Sequence, residues 1–273
     1  MTDWLEVQRG DAPLVVAFPH GGTELGGVED RFVSPWLARR DADWWIAELY
    51  GFVRELGATT VATKVSRSII DVNRDPSGAS LYPGQATTEL CPTTTFDGEP
   101  LYRGFDPEAD EIAWRHKSFF DPYHAAISAE IGRLRALHPC VVLYDAHSIR
   151  SRIPRLFDGE LPQFNIGTNS GASCAPELTE AVVDASLFHQ LDAAWTGVVN
   201  GRFKGGWTTR NYGNPAGGVH AIQMELAMRG YLDEPLVPDE SNWPSVIGPE
   251  PAVHSILRQV IAACLTFAEG NKR

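Results

Sequence analysis

Two histidines stand where apolar runs turn polar. His20 lies in FPHGGTE, directly after Leu14-Val15-Val16-Ala17-Phe18, and His147 lies in LYDAHSIRS, after Cys140-Val141-Val142-Leu143-Tyr144. A histidine so placed can ligate a metal, act as a base, or be an ordinary polar loop residue. Asp145 precedes His147 by two residues, so on a strand it points to the same side and can orient the imidazole. Zinc catalysis uses two or three neutral imidazoles with a carboxylate, and leaves one position open for water. Two places in the chain offer that carboxylate. Glu24 follows His20 at one residue more than the HxxE spacing of a ligand pair, and Asp41 and Asp43 sit in RRDADWW. Spacing alone does not choose between them. The plainer reading of Asp41 and Asp43 is capping at the start of a helix, where orphan amides and the helix dipole favour acids.

Three further stretches are rich in chemistry. VSRSIIDVNRDP carries Arg67, Asp71, Asn73 and Arg74 around a short expected strand, an unusual charge load for an interior segment. Arginine forks bind carboxylates, and an arginine beside a polarised carbonyl stabilises the oxyanion; the plainer alternative is a structural Arg–Asp pair. NGRFKGGWTTRNYGNP sets Arg202, Lys204 and Arg210 among glycines that let backbone approach a ligand, and it lacks the Lys-Ser/Thr ending of a phosphate-binding P-loop. In VHAIQMELAMRG, Glu225 stands among apolar residues, where burial raises a carboxyl pKa towards that of a general base. Pairing with Arg229 is its plainer role. Ser148 lacks the GxSxG elbow of a serine hydrolase.

The elements that must position these residues follow from hydrophobic pattern. Strands are expected over 14–18, 58–65, 68–72, 140–144, 197–200 and 219–226. Helical spacing runs over 35–56, over 108–137 with a break near Asp121-Pro122, and over 255–267. Near-continuously apolar strands alternating with helices imply an α/β fold: a mostly parallel or mixed central sheet covered by helices on both faces, with its site beyond the carboxyl ends of the strands. The turn-rich segment 75–103 includes Leu81, Tyr82, Phe96, Leu101 and Tyr102, and reads as an ordered, functional loop. No linker composition divides the 273 residues, so one domain over 1–273 is expected.

A formal charge of −12 disfavours nucleic acid and anionic membranes as partners and leaves a small molecule as the expected one. The opening residues do not read as a signal peptide and no apolar run reaches membrane-spanning length, so the cytoplasm is the expected location. Four dispersed cysteines without a CxxC pair read as reduced, buried thiols.

Taken in order, PHGGTEL, DADWW, SRSIIDVNRDP, LYPGQATTELCPTTTFDG, YDAHSIRS, PRLFDGELPQFNIGTNSGASC, NGRFKGGWTTRNYG and HAIQMELA resemble the N-formylglutamate deformylase family block by block, across about residues 12 to 235. The resemblance implies a zinc carboxypeptidase-like and aspartoacylase-like fold of the phosphorylase/hydrolase type. It also implies one catalytic Zn2+, or another divalent metal, on His20, His147 and Asp43, and so favours Asp43 over Glu24. It further implies Glu225 as general base and places a DxNR pattern on Asp71, Asn73 and Arg74; with these, Arg67 is expected at the developing oxyanion and Asn73, Arg74 and Arg210 on the substrate's carboxylates. The implied reaction is hydrolysis of N-formyl-L-glutamate to L-glutamate and formate, in histidine degradation. Trp45 departs from the family's pattern, which has histidine at that place. The competing readings are a zinc amidohydrolase for another N-acyl amino acid, such as formylaspartate or an acetylated one, and a non-catalytic binder of acidic amino acids.

Overall fold

The computed structural model describes residues 3–186, 195–244 and 252–270. Its centre is a seven-stranded sheet in the order β1-β3-β2-β4-β7-β5-β6. The strands are β1 (Leu5–Gln8), β2 (Leu14–Phe18), β3 (Thr59–Thr63), β4 (Val141–Ile149), β5 (Phe164–Gly167), β6 (Gly197–Val199) and β7 (Val219–Ala227). β3, β2, β4 and β7 run parallel, β1 is antiparallel to β3, and the parallel pair β5–β6 joins antiparallel to β7. The sheet is therefore mixed, as its apolar strands imply.

Helices cover both faces. On one pack α2 (Ile46–Leu49), α5 (Pro176–Ser186) and α6 (Ala252–Gly270), which meet Leu14, Val16 and Phe18 of β2 and Val142, Tyr144 and Ala146 of β4. On the other pack α3 (Ala109–Arg115) and α4 (Asp121–Arg135), whose stretch contributes Tyr123, Ile127 and Leu134 against Val15, Ala17, Val141 and Leu143. Alternate residues of β2 thus enter two cores, which is why its sequence is apolar without interruption. All four cysteines are free and buried. Among the described residues no helix is long and apolar enough to cross a membrane.

The register creates the site. β2 pairs with β4 only from Leu14↔Val142 to Ala17↔Asp145, whereas β7 follows β4 all the way to Ile149↔Ala227. Past Asp145, β4 and β7 overhang β2, whose chain leaves the sheet at Pro19 and carries His20 to the overhang. Alternation places Asp145 and His147 on the face of Leu143, and Gln223 and Glu225 on the face of Ala221, with Asp145 opposite Gln223 and His147 opposite Glu225.

Several elements differ from expectation. Residues 68–72 form no strand: Ile69, Ile70 and Val72 are buried as an irregular segment under the α3–α4 side, and Asp71 N–H donates to the Leu90 carbonyl at 2.7 Å. The helical spacing of 35–56 is broken into α1 (Leu37–Arg40), α2 and a 3-10 turn at Gly51–Arg54, because Trp45 adopts a left-handed φ of 61° that no α-helix continues through. Residues 109–135 do not break at Pro122. A wider π-type turn over His116–Phe120 joins α3 to α4, and Pro122 sits in the first turn of α4, where a missing N–H costs little. Strands β1 and β5 and helix α5 lay outside the sequence expectation.

Gly22 holds the His20 loop against β3. A Cβ there would lie 2.2 Å from the Lys64 carbonyl carbon and 2.4 Å from its oxygen, backbone that is itself bonded to Glu24 N–H at 2.8 Å. Gly22→Ala is therefore expected to lower stability by about 1–3 kcal/mol, in the range of an overpacked core site, as a reduced midpoint in urea unfolding; an unchanged midpoint would show that the loop moves aside freely.

Candidate active site and metal centre

Asp43 reaches the overhang from the segment between α1 and α2. Its N–H donates to the His20 carbonyl at 2.9 Å, tying the two loops together, and its Oδ2 accepts from Ser148 N–H at 3.1 Å. The same oxygen lies 3.1 Å from His147 Nδ1 and 3.8 Å from His20 Nδ1. One donor atom from each of His20, Asp43 and His147 falls within 4.8 Å of the others, and all three side chains are buried. Glu24 is exposed, its backbone bridged to Val65, so it takes no part. Asp41 faces elsewhere, accepting from Phe96 N–H at 2.6 Å and lying 3.3 Å from Arg150.

Each imidazole is held from behind by a carboxylate. His20 Nε2 is 2.7 Å from Asp71 Oδ1, and His147 Nε2 is 3.1 Å from Asp145 Oδ1. Carboxylates in this position fix the ring and its tautomer, as they do for metal-ligating histidines. The Asp145–His147 relation is the one read from their two-residue spacing. Asp71 was legible only as a charged strand residue, since nothing local links it to a histidine 51 positions away.

The centre is built for a cation. His20 Nδ1 and Asp43 Oδ1 are buried without a hydrogen-bond partner, a costly condition unless something binds there. Burial and the Arg67 charge lower the pKa of His20, outweighing Asp71 and Asp43, so the ring is a neutral donor. Burial would lower His147 too, but the Asp145 and Asp43 carboxylates override it and hold its pKa well above the ordinary value. Burial disfavours the Asp43 charge, yet its bond to His147 and the nearby His20, His147 and Arg67 keep its pKa below normal. Two nitrogens and one carboxylate oxygen converging in a buried site fit a zinc-type divalent metal.

A cavity is walled by His20, His147, Glu225, Arg67, Arg74 and Arg202 among others. Burial, aided by Asp43 and Asp145 and opposed by His147 and Arg67, pushes the Glu225 carboxyl up to about 8. Gln223 steadies it, donating to Glu225 Oε2 at 3.1 Å while its own Oε1 accepts from Gly206 N–H at 2.7 Å. Arg67 donates to Asp71 at 2.7 Å, lies 3.6 Å from Asp43 and stacks over Phe96 at 4.8 Å. The plain Arg–Asp pair is thus real, and the arginine still faces the cavity.

Two of the expected carboxylate binders are placed differently. Asn73 lines the cavity, but its amide is spent on protein: Nδ2 donates to Asp145 at 3.2 Å and sits 2.9 Å from His147 Nε2, while Oδ1 accepts from Thr208 N–H at 2.7 Å. Gly206 is what admits it, since a Cβ there would lie 2.3 Å from Asn73 Nδ2. Arg210 is not among the lining residues; it donates to the Gly205 carbonyl and stacks over Tyr82 at 5.1 Å. Arg202, eight positions earlier, lines the cavity in its stead. Trp45 also lies off the cavity wall, packed on Trp44 with its Nε1 donating to the Pro244 carbonyl, so the departure from the family's histidine falls outside the pocket. Ser148 accepts from the Tyr231 hydroxyl at 2.7 Å and has no histidine to activate it. Thr88 and Gln223 also line the cavity and were not singled out beforehand; Tyr82, which lines it too, was noted only for the apolar content of the turn-rich loop.

A profile of the N-formylglutamate amidohydrolase family matches residues 12–232. The N-formylglutamate deformylase of Pseudomonas aeruginosa is 47% identical over 239 residues, covering 86% of this chain and 87% of that protein. The N-formylglutamate deformylase of Pseudomonas putida is 44% identical over 232 residues, covering 84% and 85%. Among solved structures, the N-formylglutamate amidohydrolase of Ralstonia eutropha JMP134 is similar with a TM-score of 0.76 at 23% identity, covering 98% of this chain and 97% of that one. A gene product of Agrobacterium tumefaciens is similar with a TM-score of 0.70 at 17% identity, covering 97% and 96%. At these identities the structural likeness is one of fold. With a family profile spanning most of its length and relatives this similar over most of both chains, the chain belongs to the N-formylglutamate amidohydrolase family.

Proposed function

We propose that the protein hydrolyses N-formyl-L-glutamate to L-glutamate and formate, using one divalent metal, zinc by its donor set, held by His20, Asp43 and His147. The observation that carries this reading is the convergence of those three buried side chains at one end of a cavity that also holds Glu225 and three arginines. Membership of an amidohydrolase family supports the reaction class. The two relatives named as N-formylglutamate deformylases support the substrate.

When bound, the metal supplies Lewis acidity and lowers the pKa of water. Glu225, whose pKa burial raises to about 8 and a bound cation would lower, takes the proton of the attacking water as a carboxylate and returns it to the amide nitrogen as the C–N bond breaks. The return matters because an amide nitrogen departs poorly as an anion. Arg67 offers its cationic edge to the formyl oxygen as that oxygen gains charge. Its place is kept by Asp71 and by the Phe96 ring. Arg74, anchored by Thr88 at 3.0 Å and lying 3.3 Å from Asp71, is positioned for the substrate's α-carboxylate. Asn73 serves the reaction by holding Asp145 and the His147 ring.

Formate release from N-formyl-L-glutamate, measured with metal content, tests the function directly: about one divalent metal per chain is expected, with activity lost on chelation and regained with zinc. Activity that persists in metal-free protein would refute it. Asp43→Ala should strip the metal while Glu24→Ala leaves it in place, and the reverse pattern would move the carboxylate ligand to Glu24. Glu225→Gln keeps the shape of the residue without its proton-accepting oxygen, so kcat should fall by on the order of a hundredfold or more while metal and substrate still bind by calorimetry. A Glu225→Gln enzyme with near wild-type kcat would place the base elsewhere.

A further inference from the structure

The three cavity arginines differ in what neutralises them. Arg67 lies within 4 Å of both Asp43 and Asp71, and Arg74 lies 3.3 Å from Asp71. Arg202 has no carboxylate within ion-pairing distance among the described residues. Its Nε donates to the Leu156 carbonyl at 2.9 Å and its Nη2 to the Ala86 carbonyl at 2.7 Å. Those bonds use two of the five N–H groups of a guanidinium, and Nη1 has no protein acceptor among the described residues. The group is clamped between aromatic rings, with its central carbon 5.4 Å from the Tyr82 centroid and 5.3 Å from that of Phe203. Burial, with Arg74 nearby, lowers its pKa, the opposite of the direction found for the paired Arg67. A half-buried, preoriented cation with spare donors and no counter-ion, facing a cavity in a protein of net charge −12, is an anion subsite.

We propose that Arg202 is the specificity-determining residue of this site, binding the side-chain γ-carboxylate of the substrate; this rests on the deformylase reading above. The division follows from connectivity. Arg74 is linked through Asp71 to His20 and so stands beside the metal centre, where the α-carboxylate must lie because it is carried by the same carbon as the formylated nitrogen. Arg202 is bonded to none of the residues of that centre and is held by the loops bearing Ala86 and Leu156, on the wall that a carboxylate two methylenes further out would reach. An arginine fork there rejects neutral side chains, because a guanidinium desolvated by a substrate that cannot neutralise it carries an uncompensated charge.

The test compares N-formyl-L-glutamate with N-formyl-L-glutamine, which has nearly the same shape but no γ-charge, in wild type, Arg202→Met and Arg202→Lys. Wild type should prefer the glutamate substrate. In Arg202→Met, kcat/KM for that substrate should drop about 10- to 100-fold, mostly through KM, while kcat/KM for the glutamine substrate stays level or rises; Arg202→Lys, which keeps charge without the fork, should fall between. Wild-type turnover with an unchanged glutamate-to-glutamine ratio in Arg202→Met would overturn the assignment alone. If Arg202→Met loses both activities in proportion, Arg202→Lys decides: a glutamate-to-glutamine ratio below that of wild type supports the subsite, and a wild-type ratio overturns it. Wild-type protein that releases formate from neither compound would overturn the deformylase reading and the assignment with it.

Discussion

The structure depends on confining three aspartates and two imidazoles where almost none of their surface meets solvent. Asp43, Asp71, Asp145, His20 and His147 are all buried, within one chain of contacts. Such a group is unstable unless its negative charge is offset, since burial penalises each carboxylate separately. Arg67 supplies part of the offset, and the raised pKa of His147 shows the demand for more. On the proposed reading, a dication at the convergence point would meet that demand. It would also draw the Glu225 pKa down from about 8, because a nearby positive charge favours the carboxylate. Metal affinity, acid–base poise and local stability are therefore set by one electrostatic balance.

That balance explains which parts of the fold could be read from sequence. β2 and β4 announce themselves because each is buried on both faces, and the polar residues that end their apolar runs are the ones that reach the centre. The Asp145–His147 pair was legible for the same reason: strand alternation is local and puts both on one face. Asp43 was not separable from Glu24 by spacing, since its approach depends on a contact between two loops, Asp43 N–H to the His20 carbonyl, with no local signature. Only likeness to a family favoured it. The segment 68–72 misled because β-branched residues mark burial as well as extended pairing, and here they mark burial alone. Arg202 and Arg210 could not be told apart from a list of cations, because what separates them is which one the loops at Ala86 and Leu156 grip.

Chemistry and recognition sit on different kinds of structure. His147, Asp145, Gln223 and Glu225 are carried by two strands paired over nine residues, so their mutual geometry is held by the ladder. His20 and Asp43 stand on short loops tied to each other by Asp43 N–H to the His20 carbonyl and to β4 by Ser148 N–H to Asp43 Oδ2, while Gly22 gives the His20 loop, and Gly206 the Asn73 amide, the close approach that a Cβ would prevent. By contrast, Tyr82, Ala86, Thr88, Phe96 and Arg202 come from irregular segments that meet across the cavity mouth. Rigid elements suit groups that must keep catalytic geometry, while loops suit groups that discriminate among substrates.

This separation also explains why the arginines are neutralised unequally. An arginine that meets the formyl oxygen must be positioned before charge develops there, and its partners Asp71 and Asp43 do that at the cost of reducing its pull on a resting anion. An arginine that selects a permanent carboxylate has the opposite requirement. Its attraction is useful in the ground state, so a bound counter-ion would compete with the substrate, and neutral carbonyls together with aromatic faces are the holders that fix it without quenching it. On the proposed reading, Arg67 and Arg202 meet these two requirements within one cavity. The contrast between carboxylate-held and carbonyl-held arginines is a physical basis for telling an oxyanion stabiliser from a substrate reader where both line the same wall.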